Sequence, residues 1–139
     1  MILAKDVMSE HVAVIYEDML IRQVAHLMLR DRVSSFPVVS EDIGVVGIIS
    51  ITDLFRILDQ AYDTDDAVDL KRRVNRFKEL PVRDVMSRKV VSISPETTLD
   101  EIVHILVDQN VHSFPVMEQK KLVGIVGRHD ILNAVFAYD

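Results

Sequence analysis

The sequence predicts an α/β (α+β) protein built from two β-α-β-β-α repeats joined by a helical connector. Three observations carry that expectation. The chain is written twice, "KDVMSEHVAVI" at 5–15 returning as "RDVMSRKVVSI" at 83–93 and "VSSFPVV" at 33–39 as "VHSFPVM" at 111–117. From Asp6 to Val38 against Asp84 to Val116, 12 of 33 positions are identical without a gap at an offset of 78 residues, and such self-similarity marks a duplicated structural unit. Within each copy the apolar period changes in the same order, and an amphipathic stretch separates the two copies.

Each copy opens with a short β-rich stretch, "VAVI" or "VVSI". Ile21, Val24, Ala25 and Met28 then repeat at i, i+3, i+4, i+7, as do Leu99, Ile102, Val103 and Leu106; this spacing predicts a helix with one buried face. A capping box of Thr98 and Glu101, with Pro95 just before it, sets the start of the second of these helices. Strands follow at "FPVV" or "FPVM". Loops carrying "SEDIG" or "EQKK" lead back through "VVGII" or "LVGIV" in a hairpin-like return. A closing helix is expected at "DLFRIL" or "DILNAV". One residue is lost in a loop of the second copy, after which Gly47 and Asp53 align with Gly124 and Asp130. The expected segments are 1–59, 60–80 and 81–139, together forming one compact module, because a repeat of about 55 residues buries too little surface to stand comfortably alone.

The connector orders its charges. Asp63, Asp65 and Asp66 come first, then Lys71, Arg72, Arg73, Arg76 and Lys78, with Ala67, Leu70, Val74 and Phe77 on one helical face. Acids at the start and bases at the end complement a helix dipole, so "KRRVNRFK" reads as a solvated helix face rather than a polyanion contact. Pro81 ends it.

Composition narrows the functional classes. With 49% hydrophobic and 27% charged residues the chain is globular rather than disordered. No cysteine is present, which rules out thiolate metal sites and disulfides and fits a reducing compartment. No run of about 18 apolar residues occurs, so the expectation is a cytoplasmic protein without a membrane partner. A net charge of −6 opposes nucleic-acid binding, which rests on neutralising many phosphates. An enzyme reading would begin from His129 and Asp130, but one dipeptide does not build a metal site or activate water, and no phosphate loop or serine elbow is found. His26 and His104 recur at the same repeat position without a neighbouring ligand, so a surface or structural role is expected.

The residues that remain are the two aspartates. "GIISITDL" at 47–54 and "GIVGRHDIL" at 124–132 each end on an aspartate at a helix start. Ser50 and Asp53 have capping-box spacing. The second copy has Gly127 in place of the serine, so capping accounts well for only one copy, whereas a ligand would account for both.

The duplicated order of "DVMS", "FPVV" or "FPVM", and "GII" or "GIV" followed by aspartate resembles a tandem pair of CBS domains, the regulatory module named after cystathionine β-synthase, over about Ala4 to Val135. The resemblance implies two repeats packed about a pseudo-twofold axis, with clefts between them that bind AMP, ADP, ATP or S-adenosylmethionine as a regulatory ligand. It also implies a homodimer, an energy-sensing role read out by a partner protein, no catalysis and no required cofactor.

Such a ligand needs a base slot, an acceptor for two ribose hydroxyls and donors for phosphate. Asp53 and Asp130 suit the ribose, since an ionised carboxylate only accepts hydrogen bonds. Ser50, with Thr52 beside it, suits ribose or phosphate oxygen at a helix start. Gly127 departs from the serine or threonine of the pattern; Arg128 and His129 are the compensating phosphate partners. The base slot falls to Val14 and Ile15, or Ser92 and Ile93, facing Ser35, Phe36 and Pro37, or His112, Ser113 and Pro115, with Phe36, Pro37, Phe114 and Pro115 as wall rather than chemistry. The competing reading is a ligand-free dimerisation or interaction scaffold whose aspartates are helix caps alone.

Overall fold

The structure is a computed structural model that describes residues 1–137; residues 138 and 139, at the end of the last expected segment, lie outside the described residues. The elements are α1 (Ala4–Val7), β1 (Ile15–Tyr16), α2 (Ile21–Asp31), β2 (Ser35–Ser40), β3 (Gly44–Ser50), α3 (Ile51–Ala61), α4 (Ala67–Lys78), a 3-10 turn (Val82–Asp84), α5 (Leu99–Gln109), β4 (Ser113–Glu118), β5 (Lys121–Gly127) and α6 (Arg128–Phe136). They divide into two compact units. One is Val14–Lys89, here the central unit; the other combines Met1–Ala13 with the chain from Val90 onward and is here the terminal unit.

In the central unit β2 lies between β1, to which it is parallel, and β3, to which it is antiparallel. Helix α2 starts where Gln23 Oε1 accepts the Leu20 N–H at 2.9 Å, and it buries Ile21, Val24 and Met28 on one face. The terminal unit repeats the plan. The Thr98 hydroxyl accepts the Glu101 N–H at 3.4 Å to open α5, and β4 pairs antiparallel with β5. Val103, expected on the buried stripe of α5, is 38% exposed instead, while Ile102 of the same stripe is fully buried. The predicted strand at "VVSI" also contracts: only Ile93 bridges to Val116. A turn closed by the Thr97 hydroxyl accepting the Ser94 N–H at 3.0 Å cuts it short.

The residue lost from the second copy lies in the hairpin turn. Glu41, Asp42 and Ile43 connect Ser40 to Gly44 in one unit, whereas only Gln119 and Lys120 connect Glu118 to Lys121 in the other. Gln119 and Lys120 take φ values of 51° and 65°, the left-handed pair that a tight two-residue hairpin requires.

The "DVMS" segments are exchanged between repeats. Ser87 and Ile48 trade two backbone hydrogen bonds of 2.9 Å, so the opening of the second repeat completes the first hairpin. Ser9 and Ile125 do the same at 2.9 and 3.0 Å in the terminal unit. This close approach explains two glycines. A Cβ on Gly47 would lie 2.6 Å from Met86 Sδ and 2.8 Å from Ser87 O, and one on Gly124 would lie 2.6 Å from Met8 Sδ and 3.0 Å from Ser9 O. Met86 joins Ile15, Phe36, Val38 and Ile49 in the central core, and Met8 packs on Phe114, Val116 and Val126 in the other.

The connector forms α4, capped by Asp66 Oδ1 accepting the Val68 N–H at 3.0 Å. Two of its bases are engaged locally: Arg72 and Arg73 both pair with Asp69, and Arg73 Nη1 also donates to Asp63 O at 2.9 Å. Hydrogen bonds from Arg72 and Thr64 hold the Asp69 carboxyl below the usual carboxylate range.

Candidate functional site

The predicted residues divide cleanly. Val14, Ile15, Ser35, Phe36, Pro37, Ser50, Thr52 and Asp53 belong to the central unit, and Ser92, Ile93, His112, Ser113, Pro115, Arg128, His129 and Asp130 to the terminal one. In each unit the hairpin brings the start of its first strand beside the end of its second, Ser35 opposite Ser50 and Ser113 opposite Gly127. The helix bearing the aspartate leaves directly from that end. Ile15 instead pairs with Val38, three residues along β2 from Ser35, or about 10 Å at the usual rise per residue.

Burial separates wall from surface. Ile15, Phe36, Ile93 and Phe114 are core side chains, 6% exposed or less. Pro37, Pro115 and Ser113 are buried as well, whereas Thr52, Ser92, His112, Arg128 and His129 are exposed. His26 and His104 stand on exposed helix positions. Among the described residues no group of three or more histidines and carboxylates is placed to hold a metal ion, and no helix is long and apolar enough to cross a membrane.

Both closing helices begin earlier than expected, so that Asp53 and Asp130 fall on the third helical residue. That position lets each carboxylate reach back over the helix start. Asp53 Oδ2 accepts the Ser50 N–H at 2.8 Å and the Ser50 hydroxyl at 3.0 Å, while Ser50 Oγ accepts the Asp53 N–H at 3.3 Å. Asp130 Oδ2 accepts the Gly127 N–H at 2.7 Å. Capping therefore serves both copies, and the expectation that it explains only the first is corrected: the backbone half of the box needs no side chain at residue 127.

The two corners differ in what else they hold. Arg56, one turn further along α3, donates from Nη2 to Asp53 Oδ1 at 2.9 Å, and the Asp53 side chain is 5% exposed. Sequence reasoning passed over Arg56, although its i, i+3 spacing from Asp53 was the available signal. At the equivalent point α6 carries Asn133, and Asp130 is only half-buried. Asp130 and Asn133, with His129, Leu132, Phe136 and Ala137, line a depression of about 430 Å³. Arg128 turns to the α5–β4 connection, donating to Val111 O at 3.1 Å and Asn110 Oδ1 at 3.1 Å from Nη2. Its Nη1 donors make no hydrogen bond among the described residues.

The CBS-domain family profile matches residues 4–60 and 82–137, one match for each sequence repeat. The chain belongs to the CBS-domain family. Among curated proteins this CBS pair is 31% identical to the uncharacterized protein MJ1426 of Methanocaldococcus jannaschii, over 96% of this chain and 90% of that one. It is 27% identical to the CBS domain-containing protein YhcV of Bacillus subtilis, over 91% and 81%. Among solved structures it is similar to CBSX2 in complex with AMP, with a TM-score of 0.77 and 21% identity over 99% of this chain and 98% of that one; CBSX2 is a CBS-pair protein of Arabidopsis thaliana. At that identity the likeness supports the shared fold.

Proposed function

We propose that this CBS pair is a regulatory module that binds an adenosine-containing ligand, AMP, ADP, ATP or S-adenosylmethionine, and signals through a change in conformation or assembly. The observation that carries the reading is the recurrence, in both units, of an ionisable carboxylate on the third residue of a helix that leaves directly from a strand end. Such a helix start offers backbone N–H donors and a favourable dipole to an anion, and the carboxylate offers acceptors to a diol. The AMP complex of a protein with this fold supports the choice of ligand class. The ribose falls to Asp53 or Asp130, phosphate to Ser50, Thr52, Arg128 and His129, and the base to the backbone near Val14 and Ile15 or Ser92 and Ile93, with Ser35, Pro37, His112, Ser113 and Pro115 around it. A ligand that prefers one arrangement of the repeats shifts the population towards it. The module itself is assigned no catalysis and a cytoplasmic setting.

A second reading rests on exposed apolar side chains of α3 and α6. Phe55 is 63% exposed, Leu132 55% and Phe136 60%, a composition suited to self-association into a homodimer or to a regulated partner protein.

Thermal unfolding with each nucleotide and with S-adenosylmethionine tests the first reading. A ligand at about 100 times its dissociation constant adds roughly 2.7 kcal/mol, several degrees in midpoint for a chain of this size. Stabilisation of the wild type that disappears in an aspartate-to-alanine variant supports it. The absence of any shift at millimolar concentration leaves the scaffold, for which sedimentation velocity reports the dimer.

A further inference from the structure

The connector helix concentrates positive charge in an acidic protein. Residues 71–78 hold five of the sixteen Lys and Arg residues and no acid, whereas the rest of the chain sets eleven bases against twenty-two acids. Leu70, Val74 and Phe77 are half-buried on the side of α4 that packs on α2 and α3. The remaining surface of the helix exposes Lys71, Arg72, Asn75, Arg76 and Lys78. These fall in two rows at i, i+4, i+7 spacing, with Lys71, Asn75 and Lys78 in one and Arg72, Arg76 and Glu79 in the other. Glu79 is already answered within the central unit by Arg22 of α2, at 3.0 Å. Lys71, Arg76 and Lys78 have no hydrogen bond or ion pair among the described residues, and Arg72, though paired with Asp69, keeps 70% of its side chain exposed. The helix dipole explains only part of this. It favours cations in the last turn, where Arg76 and Lys78 stand, and gives no reason for Lys71 and Arg72 a turn earlier.

The size of the patch selects among anions. From Lys71 to Lys78 the helix rises about 10 Å, a length that carries four exposed cations. Specific contact with nucleic acid engages on the order of six to ten phosphates, more than four cations can answer. A long polyanion or a bilayer surface would also meet Asp63, Asp65 and Asp66, exposed just before the helix, since charges act over a Debye length of about 8 Å. A short peptide avoids them. In an extended segment the side chains of one face recur about every 6.6 Å, close to the rise of about 6 Å from Arg72 to Arg76.

We propose that the basic face of α4 is a docking site for a short acidic segment of a partner protein. Exposed ion pairs are individually weak, so recognition rests on several formed together and is reversible by salt. This inference stands apart from the adenosine reading and from the apolar side chains of α3 and α6.

Amide NMR of the full chain titrated with a hexaglutamate peptide tests it. Shifts confined to α4 and its immediate neighbours are expected, with an affinity that falls as salt rises from about 50 to 150 mM. Lys71→Glu/Arg76→Glu/Lys78→Glu should weaken binding about tenfold or more. Lys120→Glu/Lys121→Glu, in the hairpin of the terminal unit, should leave it unchanged. Lys71→Gln lies outside the last turn and keeps the dipole partners; a few-fold weakening there separates a lost contact from a loosened helix. Shifts spread over both units, or undiminished in the triple variant, overturn the proposal. So does the absence of any shift at millimolar peptide. Tighter binding of a DNA duplex or of phosphatidylserine vesicles than of the peptide also overturns it, assigning the face to nucleic acid or to a membrane surface instead.

Discussion

The central unit assembles a cluster of ten buried apolar residues, Ile15 to Met86, while the cluster of the terminal unit among the described residues has seven, Ala4 to Ile131. Both are built on the same hairpin and the same exchanged methionine. They differ in what is added around that frame. The central unit gains a third strand in β1 and the packing of α4 on α2 and α3. Phe77 and Leu80 close its flank, and Val82 and Val85 enter its core. Duplication thus supplied a frame, and the connector helix α4 with Phe77 and Leu80, outside both matched stretches, adds apolar packing to the central unit alone. Since burial of apolar surface is worth roughly 25 cal/mol per Å², three more core side chains among the described residues and a packed helix lead us to expect the central unit to be the more stable of the two.

The strongest attempt to break this comparison is the pair Phe36→Ala and Phe114→Ala. Both rings are at the centre of their cores, 2% and 0% exposed, and each truncation should cost about 3–5 kcal/mol. Hydrogen exchange should show the terminal unit opening globally after Phe114→Ala, while the central unit keeps residual protection after Phe36→Ala. Equal collapse of both would show that the extra packing of the central unit adds nothing.

A second pair of variants probes what the units share. Gly47→Ala and Gly124→Ala each push a methyl group against a methionine sulfur and a backbone carbonyl, so each should lose about 1–3 kcal/mol by denaturant titration. The losses should be close to equal, with Gly47→Ala slightly the worse because its carbonyl neighbour is nearer. The smallest effect concerns helix ends. Arg32 and Asn110 both end a helix with positive φ, 55° and 52°, a conformation asparagine tolerates better than arginine. Arg32→Asn should therefore raise stability by less than about 1 kcal/mol, a gain that Asn110→Arg reverses in the terminal unit.

Most of the element order was legible because period and punctuation agree. The i, i+3, i+4 stripes marked α2 and α5, and the missing loop residue became a shorter turn at Gln119 and Lys120. The exchange of "DVMS" segments was not legible, for a reason peculiar to duplicated chains: Met8 and Met86 face two glycines in equivalent settings, Gly47 and Gly124, so local sequence fits either pairing equally well. The strand expected at 90–93 failed because β propensity says nothing of a partner, and only Ile93 has one. At the candidate site the aspartates stood out from spacing alone. Their difference did not, since the charge of Arg56 matters only once the helix brings it onto Asp53 Oδ1.

The exchanged segments also carry a consequence for synthesis. Residues 14–89 are contiguous, so the central unit has all its parts as soon as Lys89 clears the ribosome. The first thirteen residues are made before it yet find their place last, because Ser9 needs Ile125 and Met8 needs Gly124. At ordinary elongation rates that wait is on the order of seconds. Throughout it Ala4, Val7 and Met8 remain an unpartnered apolar leader ahead of a finished neighbour, and a product halted after residue 89 would carry that leader permanently exposed.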